Sequence, residues 1–397
     1  MKFIHTADWH LGRVLHDVSL LPYQEQFLDH FVDLVKSEAP KAVLLAGDVF
    51  DWAVPSVDAL RLFDDVLVRL TELTHVVVIP GNHDSASRLG FGSRLFNGRL
   101  HVICEDAAVG QPVTFSSSDG DVHIYPIPYL EPDRARRALA VQNEDGEAVW
   151  LPRSHEAVLG EAMRRINADL NQRGGSGVAM AHAFVNGSLT SDSERSISVG
   201  GAEGVGAQML AFNPDTGAHT PLSYLACGHL HRPQTPYTDD DFQIRYSGSP
   251  LPLSFSESQD QKSSTVLQVS NGQVQVEEVA VPSFLSLRRV VGTMEQITSS
   301  VPQWAEHAYV SVEVTDPVRP AQLFNRVRQV FPHTLSIRHT GISGFAGEAP
   351  PVKRDTALQP EKQTEAFFTQ ALGRPLLESE QAVMREVWEA LRSEVNV

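Results

Sequence analysis

The chain has 397 residues, 42% of them hydrophobic, and a formal net charge of −17 at pH 7. This length and apolar content suffice for a full core divided over two or three domains. No apolar run approaches the ~20 residues that cross a bilayer, and polar motifs stand too near the N-terminus for a signal peptide. Only two cysteines are present, so we predict no disulfide framework and expect a cytoplasmic protein with no membrane role.

The acidic charge argues against a protein that binds nucleic acid by itself through a large basic surface. It does not exclude a nuclease whose metal ions or partner supply the positive charge. One dense basic run, Arg-Ala-Arg-Arg at residues 134–137, has two interpretations. It is either a phosphate contact or a solvated helix face.

The first 280 residues alternate apolar, strand-like runs with amphipathic, helix-like stretches. This pattern predicts an α/β domain in which mixed β-sheets are flanked by helices in a layered sandwich. We predict helices over Tyr23–Val35 and over Val57–Leu73, the second starting at Ser56. The predicted strands are Lys2–Ala7, Ala42–Ala46, His75–Ile79, Val178–Ala181 and Leu222–Ala226.

The remainder of the chain divides into three segments after the domain at residues 1–280. Residues 283–343 alternate strand and helix and predict a small α/β domain, and residues 344–360, rich in Gly, Ala and Pro, predict a linker. Residues 361–397 contain two amphipathic helices. Their apolar faces either pack back on the core or dock on a partner.

Polar side chains follow the predicted strands, each within a residue or two of the point where the strand ends. Loops that leave the carboxyl ends of strands converge in layered α/β folds, so we expect these side chains to meet. The spacings Asp-x-His and His-x-His would place two side chains on the same side of an extended strand end. The residues concerned are Asp8, His10, Asp48, Asn82, His83, Asp84, His182, His229 and His231.

These residue types suit a site for Mn(II), Fe(II) or Zn(II). A carboxylate after a glycine, as in Gly47-Asp48, can bridge two ions that activate a water for phosphoester hydrolysis. His83 would then act on the phosphate, and the Asp84 carboxylate would orient its imidazole. A single Asp-x-His or His-x-His is a weak signal, and the prediction depends on the order and strand-end placement of all the motifs.

The series resembles the calcineurin-like metallophosphoesterase superfamily. Several flanking strings are similar to one branch, the SbcD-type DNA nuclease subunits. They are Thr-Ala-Asp-Trp-His-Leu-Gly at 6–12, Gly-Asp-Val-Phe-Asp at 47–51, Gly-Asn-His-Asp-Ser at 81–85, Gly-His-Leu-His-Arg-Pro-Gln at 228–234 and Arg-Tyr-Ser-Gly-Ser-Pro at 245–250.

The resemblance implies a division of labour among the site residues. It makes His83 the catalytic histidine, with Asp84 as its orienting carboxylate. The cofactor implied is a pair of Mn(II) ions, with Fe, Zn or Mg as alternatives. The ligands implied are Asp8, His10, Asp48 and His231 for one ion, and Asp48, Asn82, His182 and His229 for the other.

The resemblance also implies a substrate and partners. The family cleaves double-stranded DNA as an exonuclease and single-stranded or hairpin DNA as an endonuclease, in end processing, repair and recombination. It implies a homodimer, a DNA-capping role for residues 283–343, and an SbcC-type coiled-coil ATPase bound by residues 361–397 around Phe367, Phe368, Trp388 and Leu391. The alternatives are an esterase for small phosphoesters or cyclic nucleotides, and a scaffold without catalysis. Against the scaffold, all seven ligands and His83 are present.

Overall fold

The computed structural model describes residues 1–96, 98–118, 120–143, 145–194, 204–213, 216–341, 364–365, 368 and 375–395. The chain divides into two units, Met1–Arg288 and Arg289–Val397. The linker predicted at 344–360 lies outside the described residues, as do Phe367 and most of the helix predicted around it.

The first unit contains a six-stranded mixed sheet. Four neighbouring strands on one side of it are parallel, and an antiparallel hairpin extends it at the opposite edge. In spatial order the strands are β16 (Gln273–Ala280), β15 (Ser263–Ser270), β1 (Lys2–Thr6), β4 (Ala42–Ala46), β5 (His75–Ile79) and β6 (Leu100–Val102).

A second six-stranded mixed sheet belongs to the same unit. Its central strands are also parallel, and both edge strands are antiparallel to their neighbours. In spatial order they are β13 (Gln234–Thr238), β14 (Gln243–Tyr246), β12 (Leu222–Gly228), β11 (Ser176–His182), β8 (Val122–Pro126) and β7 (Val113–Phe115).

The two sheets pack face to face over one apolar cluster. Phe3, Leu44 and Val77 of the first sheet meet Met180 and Tyr224 of the second, and all are buried. Burial of this kind contributes roughly 1.5–3 kcal/mol for each large apolar side chain. The cluster brings the carboxyl ends of both sets of parallel strands to the same side.

Helices cover the outer faces of the sandwich. In α1 the buried Phe27 and Phe31 pack with Trp9, and the Ser56 hydroxyl caps α2 by accepting a hydrogen bond from the Ala59 amide at 3.2 Å. The helices of this unit are α1 (Leu21–Glu38), α2 (Val57–Leu73), α3 (Ala86–Leu89), α4 (Pro132–Ala138), α5 (His155–Arg173) and α6 (Ala207–Ala211). Two short hairpins pair β2 (Val14–Leu15) with β3 (Val18–Ser19), and β9 (Val141–Gln142) with β10 (Ala148–Val149).

The predicted layered α/β architecture is therefore confirmed. The strands predicted at 42–46 and 75–79 and the helix predicted at 57–73 have the predicted bounds. The helix predicted at 23–35 is longer at both ends, because Pro22 and the left-handed Ala39 rather than the apolar pattern set its limits.

A separate three-stranded sheet begins at residue 287. Its three strands are ordered β17 (Leu287–Gly292), β18 (Tyr309–Val314) and β19 (Thr334–His339). The helices α7 (Met294–Thr298) and α8 (Leu323–Val330) share a small core with these strands. Farther along, α9 spans Glu378–Val395. Within the described residues no helix is both long and apolar enough to cross a membrane.

A buried histidine ties the two large sheets together. His5 in β1 is fully buried, and its Nε2 donates to the Cys227 carbonyl oxygen of β12 at 3.2 Å. The Tyr224 hydroxyl lies 3.1 Å from its Nδ1. Burial and the positive charge of Arg245 lower the pKa of His5 to about 3, so the folded protein holds this imidazole neutral.

We predict that His5 makes folding sensitive to mild acid. Because its folded pKa lies below its ordinary value, the unfolded chain binds the proton more tightly. The contribution of neutral His5 to the free energy of unfolding is therefore fully present above about pH 6.5. It falls by about 1.4 kcal/mol per pH unit as the pH drops toward 3. His5→Gln keeps hydrogen-bonding groups without a titrating ring, so its urea-unfolding free energy should fall less between pH 7.5 and pH 5, by about 2 kcal/mol. Equal losses in the two proteins would contradict this.

Candidate metal centre

Five loops of the first unit bring polar side chains together where the parallel strands end. Asp8 and His10 follow β1, Asp48 follows β4, and Asn82 follows β5. From the second sheet come His182, the last residue of β11, and the pair that follows β12. Nearly all these side chains are buried, and they include every predicted ligand and His83: Asp8, His10, Asp48, Asn82, His83, His182, His229 and His231.

The backbone at four of these residues differs from the predicted extended strand ends. Asp8, His10, Asp48 and His229 have φ values of 56°, 44°, 48° and 104°, a region that non-glycine residues rarely occupy. The explanation by alternation along a strand is therefore wrong, although the side chains do meet. Tight left-handed turns aim them inward, and such strain persists only where the surrounding structure enforces it.

Hydrogen bonds between the loops enforce these turns. The amides of Asp8 and His10 donate to the carbonyl oxygens of Gly47 and Asp48, both at 3.0 Å. The Asp8 carboxylate accepts from the His229 amide at 2.9 Å, and the Asp48 carboxylate accepts from the His83 amide at 2.9 Å. Each acid is thus oriented by the backbone of another loop of the cluster.

Two motif glycines permit the close approach of these loops. A Cβ atom on Gly81 would lie 2.1 Å from Asp48 Oδ1 and 2.4 Å from the Asp48 amide nitrogen. A Cβ on Gly228 would lie 2.0 Å from the Ala46 carbonyl oxygen. These distances are impossible for a real side chain, so the glycines are required by the packing of one loop on another.

One half of the cluster joins Asp8, His10 and His231. Ligand atoms of these three residues lie within 4.8 Å of one another, and the Nε2 atoms of His10 and His231 are 3.1 Å apart. Nδ1 of His10 faces away, 3.2 Å from the Asp51 carboxylate, which Arg13 also contacts at 2.9 Å.

The other half is built around His182. Its Nδ1 donates to the Ala46 carbonyl oxygen at 3.0 Å, and its Nε2 lies 2.9 Å from Asn82 Oδ1 and 3.4 Å from the Asp48 carboxylate. Asn82 Oδ1 also lies 3.1 Å from Nδ1 of His229. Asp48 stands between the halves, since it also lies 3.5 Å from Nε2 of His10.

The buried charges shift the pKa values of these groups in opposite directions. Burial raises the pKa of Asp8 to about 7, and the neighbouring Asp48 adds to the effect. Burial works against protonated His182, but the carboxylate of Asp48 outweighs it and raises the pKa of His182 to about 9. Burial, reinforced by His182, lowers the pKa of His229 well below its usual range. Without a bound cation, the protein offsets the negative charge of these carboxylates by keeping protons on groups such as Asp8 and His182.

The donor set fits divalent cations. His10 and His231 present ring nitrogens to each other, while Nε2 of His182 faces the oxygens of Asn82 and Asp48. No lysine or arginine in the described part of the chain pairs with Asp8 or Asp48. Buried acceptors without a compensating cation are costly, and a metal bound by imidazole nitrogen and carboxylate oxygen satisfies them together.

The two predicted catalytic residues, His83 and Asp84, have different hydrogen-bond partners. His83 is buried, its Nδ1 donates to the Asp51 carbonyl oxygen at 2.8 Å, and its ring lies 4.6 Å from that of His10. Asp84 instead accepts hydrogen bonds from the amides of Gly81, Val49 and Phe50 at 2.9–3.0 Å. The Asp51 carbonyl oxygen thus holds Nδ1 of His83, and the Asp84 carboxylate joins two ligand loops through backbone amides. The orientation of His83 by Asp84 stays a prediction. Burial and Asp48 raise the pKa of Asp84 to about 6.

Sequence reasoning missed the residues that support the ligands from behind. Asp51 follows the Asp48 motif but received no predicted role, and Ser193 and Glu257 received none either. Ser193 and Glu257 lie outside the motif strings, whereas Asp51 closes the Gly-Asp-Val-Phe-Asp string at 47–51, and neither spacing nor periodicity indicates what these three residues contact in the fold. Glu257 is fully buried, and although burial alone would raise its pKa, Lys262 at 2.6 Å and His231 hold that pKa well below the usual range.

The basic run at residues 134–137 forms most of α4. Arg134 pairs with Asp106 at 2.8 Å. The guanidinium groups of Arg136 and Arg137 lie 5.5 and 4.8 Å from the ring centre of Trp150. Contacts within the protein therefore engage all three arginines, which favours the helix-face interpretation.

Comparison with known proteins agrees with this geometry. The family model described as calcineurin-like phosphoesterase matches residues 1–233. A model described as the type 5 capsule protein repressor C-terminal domain matches residues 283–371. A curated relative, the SbcD subunit of the nuclease SbcCD from Staphylococcus saprophyticus, is 27% identical over 341 residues, which are 85% of this chain and 84% of that protein.

Solved structures also show similarity. A dimetal phosphatase from Danio rerio aligns with a TM-score of 0.43 at 11% identity, over 71% of this chain and 96% of that one. The NAD nucleotidase of Haemophilus influenzae aligns with a TM-score of 0.35 at 11% identity, over 70% of this chain and 55% of that one.

Proposed function

Because the chain belongs to the calcineurin-like phosphoesterase family, we propose that it hydrolyses DNA phosphodiester bonds as the nuclease subunit of an SbcCD-type complex. The observation that carries the chemistry is the buried cluster of carboxylate, amide and imidazole ligands at the strand ends. The choice of DNA is supported by the curated nuclease relative, which matches 85% of the chain. The matched region at 283–371 supports it further.

We assign the ligands in two overlapping sets. Asp8, His10 and His231 would hold one ion, Asn82, His182 and His229 would hold the other, and Asp48 would contribute to both. Two Mn(II) ions are the proposed cofactor. When bound, such ions activate a water molecule and polarise the phosphodiester.

The other residues of the site orient the His83 imidazole and supply a proton to the reacting phosphate. The Asp51 carbonyl accepts the Nδ1 proton of His83, which fixes the ring, and we assign Nε2 as the atom that acts on the phosphate. Protonated there, the imidazole stabilises charge on the phosphate or donates to the leaving oxygen. Asp84 holds the loop that presents His83 through backbone amides.

We expect Mn(II)-dependent cleavage of linear duplex DNA by the purified chain, and we expect His83→Gln to abolish it. General acid–base catalysis contributes about 10²–10⁴-fold, so the variant should lose at least about 100-fold in rate while its metal content stays unchanged. Rates are measured on labelled duplex and on a small nucleotide phosphodiester, and bound Mn(II) by elemental analysis. His30→Gln, on the outer helix α1 and outside every motif, is the control.

Three outcomes would contradict parts of this proposal. Cleavage of the small ester alone would favour an esterase for small phosphoesters or cyclic nucleotides over a nuclease. Loss of metal from the His83→Gln protein would make His83 a ligand. A wild-type chain that binds Mn(II) and cleaves neither substrate would favour a scaffold.

We further propose that the active protein is a homodimer. The first unit exposes large apolar side chains in two segments. Phe91 and Leu95 are 85% and 80% exposed, and Val57 and Leu60 near the start of α2 are also exposed. Exposed apolar clusters of this kind mark protein–protein contacts, and a second copy of the chain is the proposed occupant.

The dimer proposal predicts that Phe91→Glu/Leu95→Glu is a monomer. Burying two carboxylates at an apolar contact costs more than dimer formation recovers. Sedimentation velocity should give a dimer for the wild type and a monomer for the double variant. The control is Val318→Glu, which changes an equally exposed apolar residue of the second unit. A monomeric wild type would overturn the proposal.

The partner proposed is an SbcC-type coiled-coil ATPase, bound by the C-terminal segment. Val383 and Val387 of α9 are 61% and 52% exposed. They border a groove of about 660 Å³ whose other lining residues include Phe368, Met384 and Trp388. An amphipathic helix with an uncovered apolar face suits the groove of a partner protein. In the same complex, residues 283–343 are proposed to cap the DNA.

Val383→Glu/Val387→Glu should therefore abolish binding of the ATPase without affecting the nuclease. The charges fall on the proposed contact and far in sequence from every metal ligand. Co-purification with an SbcC-type subunit measures binding, and Mn(II)-dependent DNA cleavage by the free chain measures the site. Val301→Glu, on another exposed valine, should retain binding of the ATPase. Retained binding by the double variant would indicate that α9 serves a different contact.

A further inference from the structure

His231 is fixed at its backbone as well as at its ring. Its amide donates to Glu194 Oε1 at 2.9 Å, and its carbonyl oxygen accepts from Lys262 Nζ at 2.8 Å. Its Nδ1 lies 2.6 Å from the Ser193 hydroxyl. The supporting residues come from two segments, 191–194 and 253–262, that lie outside the motif strings.

The centre of this support is the carboxylate of Glu257, which is 1% exposed. Lys262 Nζ lies 2.6 Å from Oε2, and the Leu253 amide donates to the same oxygen at 3.2 Å. The hydroxyls of Ser191 and Ser254 donate to Oε1 at 3.1 Å. A carboxylate bonded to an ammonium group and surrounded by donors is ionised and only accepts.

The direction of the hydrogen bonds then follows. Ser193 has one hydroxyl proton, and it donates that proton to Oε1 of Glu257. Its oxygen can therefore only accept from His231, whose Nδ1 must carry the ring proton. The remaining lone pair of neutral His231 is on Nε2, the atom that faces His10 across 3.1 Å.

We propose that Ser193 and Glu257 are positioning residues for His231, holding its imidazole in the tautomer and orientation that bind metal through Nε2. The proposal rests on the proposed metal centre, and it adds a hydroxyl between the carboxylate and the histidine. Carboxylate partners of ligating histidines fix tautomer and ring orientation, and their loss typically costs 10–100-fold in metal affinity.

Ser191 provides a matched comparison within the same network. Its hydroxyl contacts both Ser193, at 2.8 Å, and Glu257. Neither of these contacts reaches His231, so removing the Ser191 hydroxyl perturbs the network without removing the link to the ring. A purely structural network would respond alike to both substitutions.

The test uses the full chain and Mn(II) alone. Metal affinity is measured by calorimetric titration, and the His231 tautomer by ¹⁵N NMR of the metal-free, histidine-labelled protein. We expect Ser193→Ala to weaken Mn(II) binding at one site by about 10–100-fold. In the metal-free variant, His231 should populate both neutral tautomers instead of the Nδ1–H tautomer alone. Ser191→Ala should match the wild type, and Ser193→Thr, which keeps the hydroxyl, should restore affinity. Metal-free unfolding midpoints verify that the variants fold.

Equal Mn(II) affinity and an unchanged tautomer in Ser193→Ala would overturn the inference, as would equal losses in Ser191→Ala and Ser193→Ala. The result for DNA is separate. If Ser193→Ala weakens Mn(II) binding but the wild-type chain cleaves no DNA, only the nuclease proposal is overturned. His231→Ala sets the scale, since its affinity must be at least as weak as that of Ser193→Ala.

Discussion

The first unit depends on a buried cluster of carboxylate, amide and imidazole groups whose negative charge is offset by no lysine or arginine of the described residues. Asp8 and Asp48 are buried within this unit, with imidazoles around them and no paired lysine or arginine in the described part of the chain. In a medium of low dielectric, such groups repel one another or take up protons. The fold tolerates the cluster because backbone amides orient each carboxylate and because a bound divalent ion would compensate the charge.

The sheets explain why the cluster forms at one place. Each has a block of parallel strands, and the apolar layer between the sheets brings both sets of carboxyl ends to one side. Loops from the two sheets then approach so closely that Gly81 and Gly228 cannot carry side chains. Regular structure thus sets the approximate positions, and left-handed turns make the final adjustment.

The sequence was most informative where chemistry and periodicity coincide. Apolar runs such as Ala42–Ala46 located the strands, and the polar residue after each run located the site. The turns at Asp8 and His229 could not be predicted, because a left-handed φ at these residues is imposed by contacts with other loops rather than by local preference. Asp84 was assigned to the nearest histidine in sequence, whereas its hydrogen bonds go to the amides of Val49, Phe50 and Gly81. Hydrogen bonds to backbone amides of another loop cannot be predicted from the sequence, because every residue has such an amide except proline.

The hydrogen bonds between the loops also determine when the site can form during folding. The amide that orients Asp8 belongs to His229, 221 residues later in the chain, and the lysine that supports His231 is later still, at position 262. Contacts across such sequence separations form late, because long loops must close before they are made. A growing chain therefore lacks the complete cluster until both sheets are assembled. Metal capture is a property of the finished domain, because an N-terminal fragment that ends before residue 182 lacks three of the predicted imidazole ligands and the His229 amide that orients Asp8.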